Sequence, residues 1–528
     1  MTYARYKNMI VKGSNGHTDQ YPNVLPDGWT WATLGNLSAD VIGGGTPSRG
    51  EPKYFGGDII WLTPSEIPKD RVSTLIDSRE RITELGLKES SARLIPQGSV
   101  LLTSRASIGY VGIAGCEVTT NQGFASFVVN GSTYNRYLAY WLWGNNDVLE
   151  SQAKGTTFKE ISKTALKKLT IPLPPLPEQL RIVEKVEKLL DRVRNANTSI
   201  DKVPILLKQF RQAVIAAACS GKLIEQDSND EPASVLLERI RVERKNKWDA
   251  DLIAKGRGPK KHKYEEPAEP NMSELPELPS GWVWVTAEML ASSEPHSFTD
   301  GPFGSNLKTS DYTEKGARVI RLQNLGIAEF KDDLKAFVSR AKFLYLKKHE
   351  AKAGDIVIAA LADPVGRTCI VPDGVGDAIV KADCIRLRVE PKICLNKYAM
   401  LALNTGDHFK RAEAAAHGVG RLRVNFSDVK AFVVPLPPLA EQRRIVTRVG
   451  ELFKIAATIE AAVAKAKANS SNVTQSILVK AFGGNLVEQD PNDQPASELL
   501  DEIRKRKAIE LRKEPIKKAS RLKAKRSV

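Results

Sequence analysis

Cysteine, histidine and acidic side chains are best suited to bind a metal or act in catalysis, and their spacing here predicts neither role. The five cysteines are odd in number and form no Cys-x-x-Cys pair, which predicts reduced thiols. The six histidines do not show the spacing of metal ligands. Asp373 and Asp383 are isolated carboxylates of a type that is usually solvated at a surface, and we expect solvation here.

Glycine-rich stretches do not form a nucleotide-binding motif. Gly43-Gly-Gly45, Gly374-Val-Gly376 and Gly418-Val-Gly420 lack the strand and helix that flank a dinucleotide site, so we expect turns or close-approach loops. The sequence contains no Gly-x-x-x-x-Gly-Lys-Ser/Thr phosphate loop and no Asn/Asp-Pro-Pro-aromatic motif of amino-methyltransferases. The chain is therefore predicted to be non-catalytic.

The net charge favours a polyanionic partner. A formal charge of +16 and a pI near 9.4 suggest nucleic acid first, although charge alone leaves an inert basic surface open. No apolar run reaches transmembrane length and no signal-peptide pattern occurs, so we expect a cytoplasmic protein without a membrane partner.

A thirteen-residue motif occurs twice. The first copy reads Ile171-Pro-Leu-Pro-Pro-Leu-Pro-Glu-Gln-Leu-Arg-Ile-Val183, and ten of its thirteen positions recur in Val434-Pro-Leu-Pro-Pro-Leu-Ala-Glu-Gln-Arg-Arg-Ile-Val446. In each copy we expect an extended proline run and then a helix, with Glu178 or Glu441 in its first turn. We call each copy a joint, because it connects a globular region to a long helix.

Apolar residues after each joint recur at alternating spacings of four and three, the heptad pattern of a coiled coil. The pattern predicts two helices of about 42 residues, roughly 60 Å each; an ordinary buried helix face is the alternative. Pro204 is expected to kink or interrupt the first helix. The candidate interface positions are Ile182, Val186, Leu189 and Val193 in the first helix and Ile445, Val449, Leu452 and Ile459 in the second.

The repeat predicts an α+β protein with pseudo-twofold character, in which two globular regions alternate with two long helices. From residue 501 onward the sequence contains twelve Lys or Arg and four Asp or Glu. Such a composition is usual for a solvated helix, and the alternative is an arm that contacts phosphates. The predicted segments are an N-terminal tail (1–24), the first globular region (25–170), the first joint and helix (171–222), a charged helix and linker (223–277), the second globular region (278–433), the second joint and helix (434–485) and a basic C-terminal segment (486–528).

Each globular region opens with Leu-Pro-x-Gly-Trp-x-Trp, at 25–31 and at 278–284, and the alternating tryptophans predict a strand that buries one face. One helix is predicted in each region, at 137–151 and at 397–416. Further strands are predicted at 59–62, 99–103, 110–113 and 125–129 in the first region and at 318–322, 355–359, 368–371 and 384–389 in the second.

Together these features resemble the specificity subunit of type I restriction–modification enzymes over nearly the whole chain. The joints, the long helices and the tryptophan openings carry the resemblance. The second region departs from the first because it lacks a clear Thr-Asn-Gln. The segments that look like that family's target-recognition domains are Gly44-Gly-Thr-Pro-Ser48, Thr120-Asn-Gln-Gly123 and Gly155-Thr-Thr-Phe-Lys-Glu-Ile161, with Asp300-Gly-Pro-Phe-Gly-Ser305 and Gly354-Asp-Ile-Val-Ile358 in the second region.

The resemblance implies two target-recognition domains, each reading one half of an asymmetric, bipartite double-stranded DNA target. Antiparallel pairing of the helices into a coiled coil would put the two readers at opposite ends and set the spacer, although the linker (220–277) permits either direction. The resemblance also implies two methyltransferase subunits docked on the helices and two motor–nuclease subunits. S-adenosylmethionine, ATP and Mg would serve those partners, and this chain would bind no cofactor or metal.

Base edges are read by bidentate side chains, Arg for guanine and Asn or Gln for adenine, whereas most Lys and Arg contacts go to phosphates. A structural role remains open for each candidate. The candidate DNA-binding residues are Thr46, Arg105, Asn121, Gln122, Gly155, Thr156, Thr157 and Lys159 in the first region and Ser305, Asn306, Lys308, Arg367, Arg421 and Arg423 in the second.

Two other functions compete with this interpretation. A bifunctional enzyme with methylation or nuclease chemistry in the same chain needs catalytic motifs that the sequence lacks. A coiled-coil scaffold that binds only proteins would give no sequence-defined, bipartite protection of DNA.

Overall fold

The computed structural model describes residues 24–155, 159–256, 263–361, 363–418 and 420–505. The chain forms two compact units: the first comprises residues up to Asp201 together with those from Ala464 onward, and the second spans Lys202–Val463. Each unit therefore contains one globular region and parts of both long helices. The predicted N-terminal tail, except Val24, and the basic segment after residue 505 lie outside the described residues.

The helices and strands alternate throughout both globular regions, and residues 496–505 form a further helical segment. The helices are α1 (Leu34–Leu37), α2 (Glu84–Lys88), α3 (Asn135–Gly144), α4 (Asn146–Gln152), α5 (Lys163–Lys168), α6 (Leu176–Ala218), α7 (Ala233–Ala254), α8 (Arg340–Tyr345), α9 (Asn396–Ala402), α10 (Gly406–Ala414), α11 (Phe426–Lys430) and α12 (Leu439–Phe482). The strands are β1 (Thr30–Thr33), β2 (Ser38–Gly43), β3 (Phe55–Leu62), β4 (Ser73–Leu75), β5 (Glu80–Ile82), β6 (Val100–Thr103), β7 (Val111–Ala114), β8 (Thr119–Thr120), β9 (Phe124–Val129), β10 (Thr170–Leu173), β11 (Val283–Thr286), β12 (Phe298–Thr299), β13 (Tyr312–Thr313), β14 (Ala317–Ile320), β15 (Phe337–Val338), β16 (Glu350–Ala351), β17 (Ile356–Ala359), β18 (Thr368–Ile370), β19 (Ala378–Val380), β20 (Cys384–Leu387) and β21 (Val433–Leu436).

The two globular regions share one sheet plan. The first has a sheet of order β2-β9-β6-β7-β4 and a smaller one of order β5-β3-β8; the second has sheets of order β12-β20-β17-β18 and β13-β15-β14-β19-β16. A parallel pair recurs in both, β3 with β8 and β14 with β19. In the first unit the core also takes in the end of α12, where the Phe482 ring lies 5.3 Å from that of Tyr137.

All eight strands predicted within the regions are confirmed, most within two residues of the predicted ends. The single helix predicted in each region was wrong, because each is two helices separated by a buried asparagine. Asn145 Nδ2 donates to Trp141 O at 2.7 Å, and Asn404 Nδ2 donates to Met400 O at 2.8 Å. An asparagine amide that bonds the preceding turn competes with continuation of the helix.

Each joint is fixed to its globular region by a strand and a glutamine. The opening strand β1 pairs antiparallel with β10, and β11 pairs with β21 in the same register. The fully buried Gln179 accepts from Tyr134 N at 2.8 Å and donates to Ser132 O at 3.1 Å and Pro174 O at 3.0 Å. Gln442 makes the equivalent three bonds in the second unit. The start of each long helix is thereby held against its sheet.

A buried tryptophan–carboxylate bond completes each joint. Trp29 Nε1 donates to Glu178 Oε2 at 2.9 Å, and Trp282 Nε1 donates to Glu441 Oε2 at the same distance. Both carboxylates lie in the first turn of their helices, as predicted. They are also almost fully buried. Burial raises the pKa of Glu178 to about 7 and raises the pKa of Glu441 as well.

The long helices contain 43 and 44 residues, and within each unit their segments run antiparallel. Within the first unit, Arg181 contacts Asp493 at 2.7 Å and Asp201 forms an ion pair with Lys467. Residues later in α6 therefore contact residues earlier in the second repeat, as antiparallel segments do. In the second unit Arg211 makes a bidentate contact with Glu460 at 2.5 and 2.9 Å. Helix α6 continues through Pro204, so the predicted interruption does not occur.

The apolar residues of the heptad seam are buried near the joints, and they become more exposed further along the helices. Ile182, Val186, Ile445 and Val449 are buried, whereas Leu189, Val193 and Leu452 are half-buried. Ile459 is 40% exposed, so it differs from the other predicted seam positions. The small side chain of Ala456 is fully buried on the same helix. The predicted seam is therefore buried near the joints and incomplete at Ile459.

The segment after each long helix returns to the joint of the other repeat. Asp230, which follows α6, pairs with Arg444 at 2.6 Å, just as Asp493 pairs with Arg181. Ala233 N donates to Gly281 O, and Ala496 N donates to Gly28 O, both at 2.9 Å. The repeated motif at 223–234 and 486–497 is thus a clamp on the opposite joint.

Replacement of Glu178 by Gln should change how stability depends on pH. Because the pKa of Glu178 is about 7 in the folded chain and near 4.5 when unfolded, only the folded state keeps this proton between those pH values. The free energy of unfolding therefore falls as pH rises from about 4.5 to about 7. We expect Glu178→Gln, measured by thermal unfolding, to make this fall shallower and to raise the midpoint at pH 8. The exposed Glu184→Gln on the same helix should leave it unchanged; equal pH slopes for both variants would contradict the role of Glu178.

Candidate nucleic-acid interface

Two exposed loops of the first region meet at a glycine. A Cβ on Gly44 would lie 1.9 Å from Asn121 O and 2.3 Å from Thr120 O, so only glycine permits the approach. Gly45 N donates to Thr120 O at 2.8 Å, and Thr46 Oγ1 donates to Gln122 Oε1 beyond it. The predicted close-approach loop is confirmed, and it places Thr46 beside Gln122 on an exposed surface.

A third segment joins them from the region's end. Ala106 N donates to Lys159 O at 3.0 Å, and Ile161 N donates to Ser104 O at 2.9 Å. Arg105 Nε lies 3.6 Å from Glu160 Oε2. We call residues 43–48, 104–106, 120–123, 154–155 and 159–161 the first loop cluster. A cavity of about 330 Å³ opens among its loops, with Arg93 and Lys163 also in its wall.

The other candidates of the first region have distinct placements. The Asn121 side chain accepts from Gly123 N at 2.9 Å, so it stabilises the turn that presents Gln122. Gly155 and Lys159 are exposed in the third segment. Thr156 and Thr157 lie outside the described residues.

Hydrogen bonds identify the equivalent loops of the second region. Asn121 N donates to Leu62 O at 3.0 Å after the parallel pair β3–β8, and Lys381 N donates to Ile320 O at 2.9 Å after β14–β19. Similarly, Ser104 N donates to Gly123 O and Ala360 N donates to Asp383 O, each at 2.8 Å. Residues 381–383 therefore occupy the position of 121–123, although the two sequences share no motif.

The same close approach recurs here. A Cβ on Gly301 would lie 2.0 Å from Lys381 C, just as a Cβ on Gly44 would meet the backbone of the turn at 120–121. Arg423 Nη1 lies 2.9 Å from Asp383 Oδ1, and its guanidinium carbon lies 5.6 Å from the centre of the exposed Phe303 ring. We call residues 300–306, 360–361, 381–383 and 417–423, without Val419, the second loop cluster.

The remaining candidates of the second region differ in accessibility. Ser305, Asn306 and Lys308 are exposed on one loop, and Arg421 is exposed beside Arg423. Arg367 is turned inward: its guanidinium donates to the carbonyls of Leu325 at 2.8 Å, Leu322 at 3.3 Å and Pro364 at 3.3 Å. These bonds give Arg367 a structural role, because they hold its own loop against the turn at 322–325.

Sequence reasoning missed Glu160 and Phe303, and it treated Asp383 as a solvated carboxylate. Each contacts an arginine from a different segment, so no local spacing reveals the pair. One signal was available. Asp383 immediately precedes the apolar strand β20, as Gly123 precedes β9, and counting back from these strands aligns the two turns.

Other chemistry receives no support from the described residues. Within them, no group of three or more His, Cys, Asp or Glu side chains is arranged to hold a metal ion. All five cysteines are free, and burial raises the pKa of Cys219 and Cys369 to about 12. Over the same part of the chain, no helix is both long and apolar enough to cross a membrane.

Known proteins share this architecture. The family model of the type I restriction modification DNA specificity domain matches residues 26–204 and 311–466. The EcoKI specificity subunit of Escherichia coli K12 is 24% identical over 94% of this chain and 99% of its own length. The Escherichia coli EcoBI specificity subunit is 27% identical over 74% of this chain and 75% of its own.

Solved structures show the same fold. One, described as the structural basis of complex assembly and conformational transition of the type I R-M system, has a TM-score of 0.60 at 20% identity, over 88% of this chain and all of that one. The HsdS subunit of Thermoanaerobacter tengcongensis has a TM-score of 0.51 at 20% identity, over 88% of this chain and 99% of its own.

Gly44→Ala should separate the two loops that meet in the first loop cluster. The added Cβ meets backbone atoms, which cannot rotate away, so we expect a loss of about 1–3 kcal/mol in stability. Hydrogen exchange at the Gly45 amide should also accelerate. Gly131→Ala is the matched control, because nothing lies within 4 Å of its Cβ. A Gly44→Ala protein as stable and as protected as this control would refute the close approach.

Proposed function

The chain belongs to the type I restriction modification DNA specificity family, whose model matches more than half of it, and on that premise we propose that it is the sequence-reading subunit of a restriction–modification complex. Each loop cluster contacts one half of a bipartite double-stranded DNA target. The subunit supplies recognition only, and the chemistry of methylation and cleavage resides in its partners.

One observation carries this proposal: the same backbone frame presents different side chains in the two regions. Gln122 and Arg105 are exposed or half-exposed in the first loop cluster, whereas Asp383, Arg423 and Phe303 take the corresponding surface in the second. A shared frame gives both clusters the same approach to a groove. Different side chains then select different bases, which predicts an asymmetric target.

The partners follow from the family premise. We propose that two methyltransferase subunits dock on α6 and α12 and transfer the methyl group of S-adenosylmethionine to adenine N6. Two motor–nuclease subunits use ATP and Mg to restrict unmodified DNA. This chain holds neither cofactor, and its position in such a complex implies a cytoplasmic location. Its net charge of +16 supports binding to the DNA phosphates.

The antiparallel helices supply the spacer between the half-sites in this proposal. Gln179 fixes the start of α6 at its joint, and Gln442 fixes the start of α12. Added helix length therefore has to change the distance between the joints. Half-site spacing is a geometric property of a rigid DNA-binding frame.

Exchange of residues 25–169 for those of another family member should change one half of the target and leave the other intact. The reason is that each loop cluster is built within a single globular region. Mapping methylated adenines in DNA exposed to the assembled complex measures the result. The unexchanged chain is the control; a change in both half-sites would contradict modular reading.

Insertion of one helical turn of four residues into both α6 and α12 near residues 200 and 467 should alter the spacer by one or more base pairs. Each turn adds about 5.4 Å, close to two base-pair steps. The same methylation map measures the gap. A replacement of four residues there by alanines controls for sequence change, and an unaltered gap after insertion would refute the spacer role.

A further inference from the structure

The two loop clusters place an arginine at corresponding points by different routes. An isolated antiparallel bridge joins residues 105 and 160 in the first cluster and residues 361 and 423 in the second. The arginine is Arg105 in the first bridge and Arg423 in the second. Residue 105 corresponds to residue 361, and residue 160 corresponds to residue 423, so the two arginines come from different loops. In both clusters a carboxylate accompanies it: Glu160 for Arg105 and Asp383 for Arg423.

Two contacts orient the Arg423 guanidinium. Its Nη1 lies 2.9 Å from Asp383 Oδ1, against 3.6 Å for the pair of the first cluster, and its guanidinium also lies over Phe303. The side chain is still 41% exposed. A guanidinium has five N–H donors, so one carboxylate contact leaves others free to face a ligand.

Asp383 is itself fixed by its backbone. It has a φ of +71°, and its carbonyl accepts from Ala360 N at 2.8 Å at the edge of the sheet. The backbone from which the carboxylate projects is therefore fixed relative to the strands, and the carboxylate itself contacts Arg423. A side chain that is already ordered loses less entropy on binding than a free one.

Resting on the proposed function, we propose that Arg423 reads a guanine in the second half-site, with Asp383 as its positioning residue, and that Arg421 contacts a phosphate. Paired N–H donors on an arginine match O6 and N7 of guanine in the major groove. Arg421 is exposed on the same segment, and among the described residues no ion pair or side-chain hydrogen bond restrains it. An unrestrained cation suits the phosphate backbone, which carries no sequence information.

The test compares Arg423→Gln with its matched control Arg421→Gln, each assembled with the partner subunits. Binding is measured to the methylation-mapped target and to duplexes carrying every single base-pair change in the second half-site, at two salt concentrations. For Arg423→Gln we expect a loss of about 10- to 100-fold in discrimination at one G·C pair only. For Arg421→Gln we expect weaker binding to all duplexes alike and a salt slope lower by about one.

Asp383→Asn separates positioning from folding. Asparagine tolerates a positive φ, so the backbone is kept while the charge that orients Arg423 is removed. Discrimination should fall at the same G·C pair, with an unchanged thermal midpoint. A purely structural role would instead lower the midpoint without a base-specific effect, and would overturn the positioning role.

The outcomes distinguish this inference from the function on which it rests. If the unaltered complex bound all duplexes equally, the proposed function itself would fail. If it bound one target specifically while Arg423→Gln weakened every duplex uniformly, or lost discrimination at an A·T pair, only the assignment of Arg423 would be overturned.

Discussion

Two buried tryptophan–carboxylate bonds determine where each long helix starts. Glu178 and Glu441 accept from tryptophans of the opening strands, and Gln179 and Gln442 bond the main chain next to them. A carboxyl group placed in an apolar core is costly when ionised, which is why burial raises its pKa. The arrangement occurs in both repeats, and it fixes where each long helix starts relative to the globular region before it.

The invariance of the joints contrasts with the divergence of the loop clusters. Gly44 and Gly301 make the same close approach, and Asn121 N and Lys381 N each donate to the carbonyl at the end of the parallel strand beside them. The frame depends on main-chain atoms and glycines, so the exposed side chains are free to vary without loss of stability. Under the proposed function, variation at such positions would change the bases that are read and leave the fold unaltered.

Period and repetition made the strands, the long helices and the joints predictable from sequence, since those signals are local. The contacts of the candidate site are not local. Arg423 meets Asp383 from forty residues away, and Arg367 is drawn inward by carbonyls of a distant turn. Sequence spacing therefore proposed Arg367 and Arg423 alike, and it could not tell the inward arginine from the outward one. The split of the predicted helix in the second region has the same cause, because Asn404 bonds to Thr368 from a distant strand.

Phe482 completes the core of the first unit, and this affects the order in which the chain can fold during synthesis. Residues 202–463 form one uninterrupted stretch, so the second unit can be completed as soon as that stretch has left the ribosome. The first globular region emerges earlier, yet the Phe482 ring that packs on Tyr137 is made only after the whole second globular region. An apolar surface of the first region thus stays uncovered while the second region is synthesised, and chaperones can bind it during that time.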